Sequence, residues 1–402
     1  FASLFGQLQA GLKAEQETNR IELNIANALW IQEGFPIIPA FLNTATEQYQ
    51  ASVGQADFIT DADVVRQNIN DWVAQQTKNK IQNILSPGSI TPDIRLVLAN
   101  AIYFLGKWTV SFQETNTAVQ PFFLSRTSMV EAPLMHQPLL IASNGQAFPF
   151  NYMQSYPASP GPPSNNDFQA LELPYGSNQL SMLILLPSEM DGLELLEQQL
   201  SADFLSNLLA RMAPAPVEIF LPRFTLESSF NLGHTLESMG MPDAFDPWLA
   251  DFSGIDGRTD LYVDFVVHKA WGEIKESGTE AAAATVIGAA TSATPPPHAV
   301  FRADHPFLFL IRDTRTGSIL FMGRLTNPSG SGPAASALTL KPSLAGLRVC
   351  WPYSWHAMEL QQSTDLTHWI PSVGVSTDGT NYFVNVPREQ PATVFFRLER
   401  RR

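Results

Sequence analysis

The chain has 402 residues, a formal net charge of −14, and 45% apolar against 15% charged residues. This composition allows a large buried core and argues against wholesale disorder, and the acidic balance argues against nucleic acid or an anionic membrane surface as a partner. No apolar run approaches the roughly 18–20 residues of a membrane span, and the single cysteine, Cys350, excludes an intrachain disulfide.

The first quarter of the chain is predicted to hold two helical tracts and one strand. Residues 1–50 and 61–84 carry apolar side chains at helical spacing. In the first tract the residues with this spacing are Leu4, Leu8, Leu12, Leu23, Ala26, Asn27 and Trp30. Residues 94–105 are almost continuously apolar, which favours a strand buried on both faces.

Short strand signals dominate from there to residue 328. Strands are predicted at residues 171–173, 180–186, 217–221, 261–271, 301–311 and 318–325, with helical patterns at 193–212 and 232–239. Helices and strands in blocks, without a regular βαβ alternation, indicate an α+β fold.

The composition changes after residue 328. Residues 329–337 are rich in Gly, Pro, Ser and Ala, which is typical of a flexible linker. Residues 338–402 show only short strand signals, and Asp378-Gly379 is typical of a hairpin turn. We predict a small all-β sandwich of the fibronectin type III kind here. Residues 360–366, Trp369 and residues 395–398 resemble a β module found at the C-termini of secreted bacterial proteins. This resemblance implies either an inert spacer or a surface-attachment or binding role.

Residues 276–297 contain almost no large side chains and no Lys or Arg. They belong to a loop of about 25 residues between two strand signals, and loops of that length are usually functional or disordered. Four consecutive alanines at 281–284 also allow a helix or an idle linker. Alternatively the segment could become a strand, because small side chains let it pass between two existing strands without overpacking the core.

In an extended conformation this segment would alternate between two faces. Gly278 supplies the backbone freedom of a hinge. The inward face would carry Thr279, Ala281, Ala283 and Thr285, and the outward face would carry Glu280, Ala282 and Ala284.

The pattern Glu-X-Gly-Thr-Glu-Ala-Ala-Ala-Ala-Thr from Glu276 onward resembles the hinge of inhibitory serpins. Other landmarks of that family follow in family order, at residues 98–108, 171–175, 221–224, 240–245, 251–254, 268–270, 305–309 and 320–324. The resemblance covers residues 1–328 and implies the serpin fold, with a large sheet A, sheets B and C and surrounding helices. Residues 1–12 match the fourth helix of the family, so the three helices before it would be missing.

The resemblance also implies roles for individual residues. Glu276 and residues 278–285 would form the hinge that inserts into sheet A after cleavage. Asn100 and His268 match the shutter pair, which helps to control the opening of sheet A, and Trp108 matches the breach tryptophan above the point of loop entry. An ordinary packing or hydrogen-bonding role in the core would be compatible with these positions.

Counting from Glu276 at the family's spacing places the scissile bond between Ser292 and Ala293, with bonds 291–292 and 293–294 as alternatives. The bond before Pro295 is disfavoured, because proline after the scissile bond resists most serine proteases. Small uncharged residues here predict elastase-like or subtilisin-like targets, and the lack of Lys and Arg argues against trypsin-like ones.

The resemblance implies a suicide-substrate inhibitor of serine endopeptidases. We expect no enzyme activity, since the sequence has no Gly-X-Ser-X-Gly, no His-Glu-X-X-His and no phosphate-cradling glycine loop. We also expect a secreted monomer without cofactor or metal. Activation by glycosaminoglycans is not indicated, because the helix matched by residues 1–12 offers only Lys13 and then Arg20. The alternatives are a non-inhibitory or degenerate serpin acting as a carrier or binding protein, and a chain in which the β module is the working part.

Overall fold

The computed structural model of the chain describes residues 6, 10–14, 16, 21–141, 146–155, 167–176, 178–277 and 297–329. In the C-terminal part it describes residues 339–343, 346–352, 358–363, 370–372, 374–377, 381–387 and 395–400. Glu276 of the predicted hinge therefore lies inside the described part. Residues 278–285 and the predicted scissile bond between Ser292 and Ala293 lie outside it.

Among the described residues from 21 to 329, the structure has fourteen strands and six α-helices. The strands are β1 (Ile21–Gln32), β2 (Ser52–Ala56), β3 (Leu96–Gly106), β4 (Ala118–Ser125), β5 (Ser128–Gln137), β6 (Pro149–Gln154), β7 (Phe168–Tyr175), β8 (Leu180–Pro187), β9 (Ala213–Pro222), β10 (Phe224–Asn231), β11 (Val267–Ile274), β12 (Ala299–Arg302), β13 (Phe307–Asp313) and β14 (Ile319–Leu325). The helices are α1 (Pro39–Asn43), α2 (Ala62–Gln76), α3 (Leu193–Gln199), α4 (Ala202–Arg211), α5 (Gly233–Ser238) and α6 (Ser253–Asp256), and a π-helix (Thr44–Gln48) and 3-10 helices (Glu114–Asn116 and Pro242–Phe245) complete them.

These strands form two sheets. The five-stranded sheet has the order β10-β11-β3-β1-β2, and the second sheet runs β14-β13-β8-β7-β6-β9-β5-β4, with β12 paired to β9. The main core lies between the two sheets, where Leu23 and Phe104 of the first join Leu171 and Phe309 of the second in one buried cluster. Helix α2 covers the outer face of the five-stranded sheet, and α3 and α4 cover the outer face of β8 and β13.

The helix predicted over residues 1–50 is wrong at residues 21–32, while residues 39–48 are helical. Residues 10–14 are helical, but Ile21–Gln32 is a twelve-residue strand that pairs with β2 on one side and β3 on the other. Because both faces of this strand are covered, apolar residues occur on both faces. Their spacing along the chain resembles the spacing of apolar residues on one side of a helix. The β-branched residues Ile21, Ile25 and Ile31 carried the better signal.

Other element boundaries also differ from the prediction. The helix predicted to Ile84 ends at Gln76, because Lys78 and Asn79 adopt positive φ angles of 50° and 61°. The helical pattern at 193–212 is two helices, and the Ser201 hydroxyl caps the second by accepting from Phe204 N at 3.1 Å. The strand predicted at 261–271 begins only at Val267, and the strand predicted at 301–311 is divided into β12 and β13.

The C-terminal part contains strands β15 (Thr339–Ser343), β16 (Gly346–Pro352), β17 (Met358–Ser363), β18 (Ile370–Pro371), β19 (Ser376–Thr377), β20 (Asn381–Pro387) and β21 (Phe395–Arg400). They pair as β15-β16-β20-β19 and β18-β17-β21. The strands on either side of the predicted hairpin turn at Asp378-Gly379, β19 and β20, pair antiparallel. Among the helices of the described part, none combines the length and apolar character needed to cross a membrane.

Candidate functional site

The candidate site is the seam between β3 and β11 in the five-stranded sheet. These two strands are parallel neighbours, and their pairing runs from Ala99 and Val267 to Phe104 and Gly272. On their outer sides both strands have antiparallel partners, β1 and β10, that follow them further, to Gly106 and Ile274 respectively. The seam is therefore paired along most of β11 and unpaired at the end where the chain leaves β11.

This topology would accept one more strand if β3 and β11 separated. A segment that turned back after β11 would run antiparallel to β11, and because β3 is parallel to β11 it would run antiparallel to β3 as well. One inserted strand would thus replace a single parallel pairing by two antiparallel ones. The segment that follows β11 in the chain is the one with the small side chains, residues 278–285.

Glu276 is fixed at the unpaired end of the seam. Its side chain is only 3% exposed, and its carboxylate Oε1 accepts from Thr117 Oγ1 at 2.6 Å and from Arg223 Nη2 at 2.5 Å. Its backbone oxygen accepts from Phe112 N at 2.9 Å. The first residue of the predicted hinge is thus held by the loops that follow β3 and β9.

The charge of Glu276 is stabilised in this position. Burial by itself would raise the pKa of its carboxyl group, but the hydrogen bonds from Arg223 and Thr117, together with the positive charge of Arg223, outweigh burial and lower the pKa. Glu276 is therefore ionised at neutral pH, and its anchoring contacts are charge-assisted.

Trp108 lies beside this anchor. It is buried, stacks on Tyr175 with ring centroids 4.3 Å apart, and meets Phe112 edge-on at 6.3 Å. Its indole Nε1 donates to the backbone oxygen of Lys275 at 2.8 Å. The residue that the sequence placed above the point of loop entry thus contacts the backbone just before the hinge, in addition to packing in the core.

A row of polar side chains crosses the seam at the other end of β11. His268 of β11 lies opposite Asn100 of β3, which lies opposite Asn27 of β1. Asn100 Nδ2 donates to Asn27 Oδ1, so Asn100 Oδ1 is the acceptor for His268 Nδ1 at 2.5 Å, which assigns the proton of a neutral ring to Nδ1. Burial lowers the pKa of His268 and favours this neutral form.

An aromatic pair crosses the same seam on the opposite face. Tyr103 of β3 lies opposite Trp271 of β11, and the two rings stack with centroids 5.3 Å apart. Lys80, from the segment after α2, lies over the Trp271 ring at 4.5 Å. A strand inserted between β3 and β11 would separate both Asn100 from His268 and Tyr103 from Trp271.

The structure therefore brings together several predicted residues and adds partners that the sequence reading missed. Asn100 and His268 are in contact across the seam, and at its other end Trp108 contacts Lys275, the residue before Glu276. Asn27 was missed because it fell in the segment interpreted as helix. The partners of Glu276, Thr117 and Arg223, are 159 and 53 residues away, and no local pattern identifies such contacts.

Comparison with known proteins gives one consistent result. Residues 1–328 match the family model described as Serpin (serine protease inhibitor). The leukocyte elastase inhibitor of Xenopus tropicalis is 40% identical over 310 residues, covering 76% of this chain and 77% of that protein.

Solved structures agree with the sequence comparison. Uncleaved ovalbumin matches with a TM-score of 0.67 and 32% identity, covering 80% of this chain and 78% of that one. Human thyroxine-binding globulin in complex with thyroxine matches with a TM-score of 0.64 and 29% identity, covering 77% and 76%. The five-stranded sheet is accordingly sheet A, and the chain belongs to the serpin family.

Proposed function

We propose that this serpin is a suicide-substrate inhibitor of serine endopeptidases with elastase-like or subtilisin-like specificity. The observation that carries the proposal is the seam between β3 and β11, because its parallel pairing ends before β11 does and β11 is directly followed in the chain by a segment of small side chains. In the proposed native state the segment 278–296 stays outside the sheet, and cleavage within it allows residues 278–285 to enter.

The chemistry of the first step belongs to the protease. Its serine oxygen attacks the carbonyl carbon of Ser292, the peptide bond to Ala293 breaks, and the amine of Ala293 leaves with the proton that the serine gave up. The new bond is an ester between the protease and Ser292. Insertion of the hinge then moves the ester and the attached protease, and a displacement on the order of 1 Å within the catalytic site can already slow the hydrolysis of the ester greatly.

Insertion would increase the strand pairing of the sheet, because the inserted strand would replace one parallel pairing by two antiparallel ones. Across the seam it would break the contact of Asn100 with His268 and the stack of Tyr103 on Trp271. It would also order residues 278–285, at a cost in backbone entropy that the new hydrogen bonds and apolar contacts have to offset.

The specificity rests on the residues around Ser292 and Ala293. All of residues 286–294 are small or uncharged, which suits the narrow or apolar primary pockets of elastase-like and subtilisin-like proteases. The name of the Xenopus relative, an inhibitor of leukocyte elastase, is consistent with this class of target.

We further propose that residues 1–328 form the serpin domain, 329–337 a linker and 338–402 a separate β-sandwich of the fibronectin type III kind. The two small sheets of the C-terminal strands support the all-β part of this division. Secretion, the monomeric state and a surface-attachment role for this module stay predictions from the sequence.

The test is incubation of the purified chain with pancreatic elastase and, separately, with subtilisin. We expect a complex that survives denaturing electrophoresis, loss of protease activity, and a cleaved chain with a higher Tm than the intact one. Clean cleavage without a complex, and with no gain in Tm, would overturn the proposal and favour a carrier or a simple substrate.

A further inference from the structure

Strand β12 is the C-terminal attachment of the segment that follows β11. It is four residues long and pairs in parallel with β9, from Ala299 opposite Val217 to Arg302 opposite Phe220. One further backbone bond, from Ala303 N to Phe220 O at 2.9 Å, continues this pairing. Among the described strands β9 is the only partner of β12, so β12 is a short edge strand. With so few backbone bonds, side-chain contacts contribute a large share of what holds β12 in place.

One carboxylate at this edge contacts two imidazole rings. His136 of β5 has its Nε2 at 2.8 Å from Oε1 of Glu218 on β9. His298, the residue directly before β12, has its Nε2 at 3.5 Å from Oε2 of the same side chain. We call these three residues the Glu218 cluster. It connects β5, β9 and the chain that enters β12 through the two oxygens of a single side chain.

The Glu218 cluster is partly buried. Its side chains are 26% exposed for His136, 27% for Glu218 and 25% for His298. Water and salt therefore screen its charges less than they screen a fully exposed pair. The ring of His136 also stacks on Phe220, with centroids 4.3 Å apart and an angle of 2° between the planes. This packing fixes the ring that contacts Oε1 and so helps to orient the carboxylate toward His298.

The other charged groups beside the cluster have partners of their own. The guanidinium of Arg302 lies 4.6 Å from the centroid of the Phe220 ring, and its Nε donates to Asp304 Oδ2 at 2.8 Å. Asp304 also contacts His305, whose Nδ1 lies 3.0 Å from Oδ1. Among the described residues, the ionic contacts of Glu218 are those with the two histidines of the cluster. A positive charge that balances Glu218 therefore comes from one of these two rings.

The two histidine contacts differ in how they depend on protonation. A neutral ring can donate from Nε2 to a carboxylate oxygen, and the 2.8 Å contact of His136 fits such a hydrogen bond. The 3.5 Å contact of His298 is too long for a strong hydrogen bond and becomes an ion pair when the ring carries a proton. Imidazoles take up that proton between about pH 8 and pH 5. Acidification therefore strengthens the contact of His298 more than that of His136.

We propose that the contact between His298 and Glu218 holds β12 on β9 more firmly as the pH falls from neutral to weakly acidic, and that His136 positions the carboxylate for it. The contact itself is independent of inhibition, and only its consequence for inhibition rests on the proposed function. Ser292 lies six residues before His298, so this attachment keeps the proposed scissile bond within about 20 Å of His298, at about 3.3 Å per residue. A firmer attachment reduces the fraction of time in which local opening of β12 removes this limit.

The experiment measures hydrogen exchange of residues 299–303 in the intact chain, by mass spectrometry, at about pH 7.5 and about pH 5.5. The rates are divided by the intrinsic rates at each pH and compared with those of β8, so that a change in global stability cancels. We expect the protection of β12 to rise about threefold at the lower pH. Glu218→Gln should abolish this rise. Glu131→Gln, which changes an exposed carboxylate on β5, is the matched control and should preserve it.

Two histidine variants assign the effect to one ring. His298→Lys carries its charge at both pH values, so it should give the same high protection of β12 at both. His136→Gln can still donate a hydrogen bond to Glu218 but does not titrate in this range, so it should keep the rise.

Equal protection of β12 at both pH values in the wild type, or a rise that persists in Glu218→Gln, would overturn the inference and leave the proposed inhibition untouched. A rise that disappears in His136→Gln and persists in His298→Lys would show that the wrong ring was chosen. If the chain forms no covalent complex with elastase, the proposed function fails, while hydrogen exchange still decides whether His298 and Glu218 hold β12.

Discussion

The two ends of the seam between β3 and β11 are held closed in different ways. At the beginning of β11 the strands are paired along their backbones, and Asn27, Asn100 and His268 add side-chain bonds across them. At its end the strands are unpaired with each other, and side chains of the surrounding loops hold Glu276 and the backbone of Lys275.

This difference predicts where the sheet opens. At the end near Glu276 an entering segment has no pairing between β3 and β11 to break, and it has to displace only contacts with the surrounding loops. At the other end it has to break the strand pairing first. Insertion should therefore begin at Glu276 and proceed toward His268, which is also the direction in which the chain continues.

The largest expected effect concerns the inward face of the hinge. Thr279→Arg would place a charged side chain in the core beneath the inserted strand, at a cost of several kcal/mol. We expect this variant to be cleaved by elastase without forming a stable complex. Glu280→Arg is the matched control, since residue 280 faces solvent in the predicted alternation and should preserve the complex. Equal behaviour of the two variants on denaturing gels would contradict the predicted register.

The second effect concerns the anchor at the open end. Glu276→Gln removes the ionic partner of Arg223 from a buried position and should lower the free energy of unfolding of the intact chain by about 2 kcal/mol. The measurement is urea unfolding at neutral pH. Glu273→Gln is the control, because Glu273 contacts Lys275 in a partly exposed pair and its loss should change stability little. A similar loss for both variants would show that Glu276 is no special anchor.

The third effect distinguishes the two states of the sheet. Trp271→Phe weakens the stack on Tyr103 and should destabilise the intact chain by about 1 kcal/mol. The cleaved, inserted chain should be affected less, since insertion separates the two rings. Trp72→Phe serves as control, because Trp72 packs on Trp30 away from the seam and should affect both states alike. The measurement is the Tm of the intact and the cleaved chain of each variant. An equal loss of Tm in both states for Trp271→Phe would contradict the separation of the two rings.

The smallest effect is a pH dependence. Burial lowers the pKa of His268 below the ordinary value of about 6.5 that it has in the unfolded chain. As the pH falls, the unfolded chain binds this proton before the folded chain does, so stability is complete above about pH 6.5 and declines below it. Unfolding curves between pH 7.5 and pH 5.5, about one unit on either side of that ordinary value, should show this loss for the wild type but a smaller loss for His268→Gln. Equal losses would mean that His268 does not titrate in this way.

The sequence was sufficient to identify most residues of the seam between β3 and β11, but not the contacts that these residues make with each other. Trp108, Asn100 and His268 stand in motifs that place them along the strands, and in the structure they lie near the two ends of β11. Asn27 could not be recognised, because a strand covered on both faces shows no simple alternation. Arg223 belongs to one of the predicted landmarks, but its contact with Glu276 depends on tertiary folding and not on local spacing.

The ends of helices and strands were also not predictable from local spacing. The end of α2 depends on positive φ angles at Lys78 and Asn79. The spacing of the apolar residues around them does not predict these angles. The residues before Val267 alternate like a strand, yet the chain there bonds to the 3-10 helix through Val263 and Ala244. The order of strands in the sheet, and with it the seam, is a property of long-range pairing that spacing along the chain does not contain.

The segment after α2 has a consequence for the speed of any rearrangement. Asn70 of α2 binds the backbone of Leu85 through both atoms of its amide, and Lys269 donates to Gln82 O at 2.8 Å, while Lys80 covers Trp271. Residues 80–85 therefore connect α2 to β11 on the outer face of the sheet. Because β11 cannot move away from β3 while these contacts hold it, we expect the rate of protease trapping to depend on how fast the contacts of Lys80 and Gln82 with β11 break.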